Sequence, residues 1–148
     1  MYMELTPEDT YKDLQRLLIN AIPKFEFPRQ NLSDYHLEPL VLNSEGLVED
    51  NSSFGITLTR EEINILAILM KLGWIERQIA SVEYTRMKYS GADFKFTSQA
   101  NHLGKLLALG TEVRRDSTHM QRLYKRRKRN SETGEYETSW SLFNNYNK

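Results

Sequence analysis

Apolar residues recur every three or four positions from Leu58 to Met87, a spacing typical of one long amphipathic helix. Thr59 and Glu62 mark its start, because they have the spacing of a capping box, in which each side chain hydrogen-bonds to the backbone N–H of the other residue. We predict a helix over 59–89. Other apolar residues fill further angles of its first half, so we expect neighbours on more than one side. The main apolar stripe consists of Ile65, Ile68, Leu72, Ile75, Ile79 and Val82.

A second long helix is predicted over 98–128, with Ser98 as its N-cap. Its apolar and small residues alternate at three and four positions, like a heptad repeat. Within this seam, Gly110 and Ser117 would let another backbone come close. The simplest arrangement packs the two long helices as an antiparallel hairpin. The seam comprises Leu103, Leu106, Gly110, Val113, Ser117, Met120 and Tyr124.

A shorter N-terminal helix is predicted over 7–22. Thr6 is a suitable N-cap, Pro7 suits the first helical position, and acidic residues follow in the first turn. Pro23 should end the helix within a residue or two. We expect this helix to lie across the long hairpin.

Residues 23–57 are rich in turn formers and lack a strong hydrophobic period. Phe25–Pro28 alternates like a short extended segment at a sheet edge, and Leu40–Leu42 fits either a short strand or a turn of helix. A segment of this length without periodicity is uncommon in a compact domain and is often a binding region or disordered. We therefore expect a long irregular loop that protrudes and is partly ordered, or forms a small hairpin.

Residues 130–148 change character again. Tyr136, Thr138, Trp140 and Leu142 alternate with polar residues, as in a strand, and the remainder lacks a pattern. The predicted fold is all-α: a long antiparallel helical hairpin plus an N-terminal helix, with a long irregular loop and an extended C-terminal tail. We divide the chain into a helical core domain over 1–129, with a loop insertion at about 23–57, and the tail over 130–148.

The 148 residues carry no net charge, but the charges are segregated along the chain. Residues 1–62 contain 12 acidic and 5 basic residues, a balance of −7, whereas residues 114–129 contain 8 basic residues and one acidic residue, a balance of +7. The two regions could attract each other within a molecule or between copies, or could face different partners.

Candidate catalytic chemistry is sparse. The chain has no cysteine, which removes disulfides, thiolate metal ligands and thiol nucleophiles. His36, His102 and His119 do not form a pair with the spacing of a helical metal site, and phosphate-binding or nucleophile motifs are not found. We predict that the protein is not an enzyme and uses neither metal nor cofactor. A stretch of about 20 apolar residues, which a membrane span would need, is also lacking.

Two kinds of function fit the remaining features. In the first, a nucleic-acid-binding regulator uses its basic helix over 114–129 to contact phosphates. In the second, the protein assembles with copies of itself through acidic and basic faces, since such head-to-tail contacts can close into a ring. The residues expected to contact DNA or another subunit are Arg114, Arg115, Arg122, Lys125, Arg126, Arg127, Lys128 and Arg129.

Several short motifs point to one group of proteins. They are Phe25-Glu26-Phe27-Pro28-Arg29, the helix start Leu58-Thr59 with Glu62, Trp74, Asp93-Phe94-Lys95 and Ser98-Gln99-Ala100-Asn101-His102-Leu103. In these motifs the chain resembles small helical virion proteins of tailed bacteriophages, above all the head-to-tail connector, or ring, proteins of crAss-like podoviruses. The resemblance covers roughly residues 7–128.

The resemblance implies a structural protein of the virion, made in the host cytoplasm. Such proteins form a ring, commonly of twelve copies, that joins the portal to the tail and lets DNA pass through its bore. They lack catalysis, metal and cofactor. On this basis the loop over 31–56 would contact neighbouring ring or tail proteins, and some basic residues of 114–129 would meet DNA in the bore or a neighbour's acidic residues. The portal would be held by tail residues Tyr136, Trp140, Leu142 and Phe143.

Overall fold

The computed structural model describes residues 6–88, 96–129 and 136–137. In this part of the chain, three α-helices cover Pro7–Ala21 (α1), Arg60–Lys88 (α2) and Phe96–Arg126 (α3). The same residues contain short strands at Tyr35–His36 (β1), Val41–Leu42 (β2), Val48–Glu49 (β3), Ser53–Phe54 (β4), Lys128–Arg129 (β5) and Tyr136–Glu137 (β6). The protein is therefore mostly helical, but it is not strictly all-α as predicted. None of the described helices is long and apolar enough to cross a membrane.

The predicted capping box at the start of α2 is confirmed. The backbone N–H of Thr59 donates to Glu62 Oε2 over 2.8 Å, and the backbone N–H of Glu62 donates to Thr59 Oγ1 over 3.3 Å. The N-cap of α1 is also confirmed, since Thr6 Oγ1 accepts a hydrogen bond from the Asp9 backbone over 3.1 Å. In contrast, α3 begins at Phe96, so Ser98 lies inside the helix and is not its N-cap. Helix α3 also ends at Arg126, two residues before the predicted end.

The two long helices pack against each other as the predicted antiparallel hairpin. Their paired positions run in opposite directions along the chain: Glu62 contacts Tyr124, and Glu76 contacts Arg114. Gly110 faces α2, since a Cβ atom added there would lie 3.4 Å from Ile75 Cγ2 and 3.5 Å from Ile79 Cδ1, which are side-chain and not backbone atoms. The heptad-like seam of α3 is thus occupied by α2 of the same chain. It is not left for another copy.

Helix α1 packs on a second side of α2, as the apolar residues at several angles of α2 predicted. Leu17 of α1 lies against Gly73, whose added Cβ atom would be 3.6 Å from Leu17 Cδ2. At the surface, Arg77 donates two hydrogen bonds to the Asp13 carboxylate, over 2.5 and 2.6 Å. The core therefore has α2 at its centre. Its buried apolar residues near the N-terminal half of α2 are Ala21, Phe25, Leu32, Ile65, Leu66, Leu69 and Tyr124.

The long loop contains a β-ribbon, which agrees with the predicted small hairpin. Strand β1 pairs with β4, and β2 pairs with β3, all antiparallel. The prediction of a short extended segment at Phe25–Pro28 is wrong. Phe27 has a φ of 58°, in the left-handed region, which turns the chain so that Phe25 is buried while Phe27 is 62% exposed.

The chain does not continue in an extended tail directly after α3, as was predicted. Lys128–Arg129 pairs with Tyr136–Glu137 as two antiparallel strands, so the chain folds back directly after α3. For Tyr136, only the backbone pairing is described. The other residues predicted to dock on a portal, namely Trp140, Leu142 and Phe143, lie outside the described residues.

Candidate functional site

Helix geometry divides the predicted basic region into two groups. Residues on an α-helix are offset by about 100°, so Arg115, Arg122 and Arg126 fall within about 40° of one another. All three side chains are exposed, and His119 lies between them on the same face. This surface, which we call the basic face, consists of these four residues, points away from α2 and extends for about 16 Å. It forms one side of a shallow depression that Thr111 and Thr118 also line.

Of the other predicted basic residues, Arg114, Lys125 and Arg127 make contacts within the protein. Arg114 donates to Glu76 Oε1 over 2.9 Å, and Lys24 donates to the second oxygen of Glu76 over 3.0 Å. These hydrogen bonds hold the pKa of the Glu76 carboxyl below its usual value, although partial burial opposes the shift. The bond from Lys24 has the largest effect. Arg114 therefore helps to join α3, α2 and the segment that follows α1. Its contact with Glu76 accounts for a charge at this position without a DNA or subunit contact.

Two members of the run 125–129 are also engaged. Lys125 Nζ lies 3.9 Å from the centre of the Phe27 ring, in a cation–π contact. Arg127 donates to Glu61 Oε1 over 3.2 Å. For Lys128 and Arg129, the backbone pairing in β5 is described but the side chains lie outside the described residues. The five-residue run is thus not one continuous external surface.

A buried polar network lies where α3 ends beside the start of α2, and no pattern in the sequence predicted it. The Tyr124 hydroxyl donates to Glu62 Oε1 over 2.5 Å, and it accepts from the backbone N–H of Arg29 over 3.1 Å. Tyr124 and Glu62 are almost completely buried. The Arg29 guanidinium stacks over the Tyr124 ring at 4.1 Å and donates to the Tyr124 carbonyl over 2.7 Å and to the Arg127 carbonyl. Arg29 therefore caps the C-terminus of α3.

The protonation states in this network are set by the contacts. Burial raises the pKa of Tyr124 to about 12, and the hydrogen bond to Glu62 adds to the shift. Burial alone would raise the pKa of Glu62, but hydrogen bonds from Tyr124 and from the Thr59 backbone and hydroxyl outweigh it and lower that pKa. At neutral pH the pair is a neutral phenol that donates to a carboxylate. This arrangement fixes the segment 25–29 on the helical hairpin, because Arg29 bonds to Tyr124 through both its backbone and its side chain.

A third feature is a row of apolar side chains on the outer side of α2. Ile63, Ala67, Met70 and Trp74 are spaced by four, three and four residues, and they fall within about 60° of one another. Ile63 is 51% exposed and Trp74 is 43% exposed, Ala67 is also exposed, and Met70 is half-buried. We call these four residues the α2 row. The spacing was visible in the sequence, but the sequence did not reveal that α1 and α3 leave this side uncovered.

The fourth feature is the β-ribbon over residues 35–54, which we call the acidic ribbon. It contains four acidic residues and neither lysine nor arginine. It also carries five of the exposed large apolar side chains of the described structure: Tyr35, Leu37, Val41, Leu42 and Leu47.

The enclosed space is small. A cavity of about 110 Å³ lies between α1 and the acidic ribbon, and two wider depressions of about 440 Å³ each, one along the basic face and one beside Arg60, Glu61 and Arg127, are open to solvent. Among the described residues, His, Asp and Glu do not gather in a group that could hold a metal ion. The functional features of this part of the chain are therefore surfaces. Comparison with protein-family models, curated proteins and solved structures gives no match to this chain.

Proposed function

We propose that the protein is a structural subunit that assembles with copies of itself into a ring, as a head-to-tail connector of a tailed bacteriophage virion. In this role it joins the capsid portal to the tail and leaves a bore through which DNA passes. The tail residues Tyr136, Trp140, Leu142 and Phe143 grip the portal, and other surfaces contact neighbouring ring or tail proteins. The proposal takes the phage context from the motif resemblance and the assembly from the surfaces described above.

The α2 row is the observation that carries the assembly part of the proposal. A helix face with apolar residues spaced by four and three positions is suited to packing against another helix. Helices α1 and α3 cover the opposite sides of α2, and the exposed residues that flank the row, such as Asn64 and Lys71, are polar. Large apolar side chains that remain exposed in a row mark an interaction site. A neighbouring copy supplies the covering helix, since the segregated charges of the chain also favour contacts between copies.

Light scattering coupled to size exclusion tests this proposal. We expect the wild-type chain to elute with a discrete mass of many protomers, alone or on addition of a portal ring. The Ile63→Gln/Trp74→Gln variant should elute with a mass near 17.4 kDa and with an unchanged helical circular dichroism signal, because it removes exposed apolar surface and leaves the core intact. Met87→Gln is the matched control, since Met87 is 72% exposed but lies on another side of α2. A wild-type chain that stays monomeric under all these conditions contradicts the proposal.

A second candidate function, a nucleic-acid-binding regulatory protein, is favoured by the alignment of Arg115, Arg122 and Arg126 on one exposed face. Each phosphate contact steepens the dependence of log affinity on log salt concentration by about 0.9 for duplex DNA. If this function is correct, the Arg115→Gln/Arg122→Gln/Arg126→Gln variant should reduce that slope by up to about 3, whereas Lys71→Gln on α2 should not. Titration of a fluorescent duplex at several salt concentrations measures the slope. Equal slopes for the two variants would remove this candidate.

A further inference from the structure

We infer that the acidic ribbon of one copy docks on the basic face of α3 in the neighbouring copy. The inference rests on the proposed self-assembly and adds to it a second contact, with named surfaces on both sides. Four properties of the described residues carry it: the charge of the ribbon, its exposed apolar side chains, its fixed shape, and the position of the basic face.

The charges of the two surfaces are complementary. Glu38, Glu45, Glu49 and Asp50 give the ribbon its negative charge, and residues 30–59 contain neither lysine nor arginine to offset it. Opposite charges across an interface speed association and fix its register. On α3, Arg115 approaches Asp116 only at 3.9 Å, so its guanidinium is available for a stronger partner.

The ribbon exposes apolar surface that it cannot cover by itself. Val41 is 54% exposed, Leu42 is 57% exposed and Leu47 is 60% exposed, and the three lie in or beside the β2–β3 hairpin. A two-stranded hairpin is marginally stable in water unless another element packs on it. The partner face offers small residues beside the arginines, since Gly104 and Ala108 continue the same side of α3 towards its N-terminus. A Cβ atom added at Gly104 would meet nothing within 4 Å, so the ribbon can approach this helix closely.

The ribbon is held in a defined shape, which lowers the entropic cost of docking. At its tip, Asn43 Oδ1 accepts hydrogen bonds from the backbone of Glu45 over 3.0 Å and of Leu47 over 2.9 Å. At its base, Gln15 of α1 donates to Asp50 over 3.1 Å and to Ser52 over 3.2 Å.

The two surfaces belong to different sides of one molecule. The ribbon is attached to α1, whereas the basic face lies on the side of α3 opposite its contact with α2. Within the described residues, no ion pair joins the ribbon to α3. A contact between them therefore involves two copies, and it is heterologous. Repetition of one heterologous contact closes into a ring when the rotation allows it.

A charge-reversal cycle tests the contact in the full-length chain. The ribbon variant Glu45→Lys/Glu49→Lys and the helix variant Arg115→Glu/Arg122→Glu should each raise the protein concentration needed for assembly at least tenfold, as measured by mass photometry. In the chain that carries all four substitutions, the ribbon is basic and the helix face is acidic, so the two surfaces again have opposite charges. It should assemble at a concentration within about threefold of wild type, because coupling between contacting residues is recovered in such a cycle.

The control and the alternative outcomes are distinct. Glu8→Lys/Glu83→Lys makes the same charge change on α1 and α2 and should assemble like wild type. The inference is overturned if the four-fold variant is no better than either double variant, or if the helix variant assembles normally but loses retention of a DNA duplex. In both cases the wild-type chain would still form a high-mass assembly, so the proposed function would stand. A monomeric wild-type chain would instead overturn the function and this contact together.

Discussion

A Tyr124→Phe substitution is expected to lower the free energy of unfolding by about 1–3 kcal/mol, although it removes one oxygen atom. The lost hydroxyl donates to Glu62 and accepts from the Arg29 backbone. Both partners then lose a hydrogen bond in a place that water does not reach freely, and a buried carboxylate with fewer donors is costly. Chemical denaturation at pH 7 measures the difference. Tyr84→Phe is the control, because Tyr84 is 64% exposed and its hydroxyl can bond to water.

The same pair makes stability sensitive to alkaline pH. The pKa of Tyr124 is about 12 in the folded protein and about 10 in an unfolded chain, so the folded state favours the neutral phenol. The neutral phenol therefore adds to the free energy of unfolding. This stabilisation is fully present below pH 10 and is lost as the pH rises from 10 towards 12, by about 2–3 kcal/mol in total. The Tyr124→Phe variant should lack this part of the alkaline loss. If both proteins lose stability equally over this range, the phenol is not held neutral as described.

Regular helices were predictable from the sequence because their signals are local. The capping box at Thr59 and Glu62, the N-cap at Thr6 and the period of the apolar residues each depend on neighbours within four positions. The antiparallel pairing of α2 and α3 was also predicted, as the simplest way for two long apolar stripes to cover each other. The boundaries of α3 were less predictable, because Phe96 is already helical although the capping signal in the sequence stands at Ser98.

The buried network and the uncovered surfaces depend on contacts that are distant in the sequence. Arg29 caps a helix that ends about a hundred positions later, and a lone arginine in a loop carries no signal of such a role. The capping box accounts for Glu62 completely at the local level, so nothing in the sequence points to its second partner, Tyr124. The division of the basic run, in contrast, has a signal in the sequence. Successive residues on a helix are offset by about 100°, so Lys125 and Arg126, the last two of the run that lie in α3, point in different directions.

A Phe25→Ala substitution should destabilise the protein more than Tyr124→Phe does, with a loss of about 3–5 kcal/mol in the free energy of unfolding. Phe25 is 4% exposed and packs edge-on against Tyr124, with ring centres 5.3 Å apart. Its truncation leaves a cavity at the point where the loop, α2 and α3 meet. The neighbouring backbone is tied to α3 by a hydrogen bond from Glu26 to Gln121, so the site cannot collapse freely to fill the space.

Phe27→Ala is the matched control, two positions away in the same turn. Phe27 is 62% exposed, and its main described contact is the cation–π interaction with Lys125, so its loss should cost about 0.5–1 kcal/mol. Urea denaturation of wild type and both variants measures the free energies of unfolding. The dependence of that free energy on urea concentration is compared with wild type to check that the unfolded state is unchanged. Similar losses for the two variants would mean that Phe25 does not join the loop to the helical hairpin. A large loss for Phe25→Ala alone is the expected result, and it would show that Phe25 and not Phe27 anchors the loop in the core.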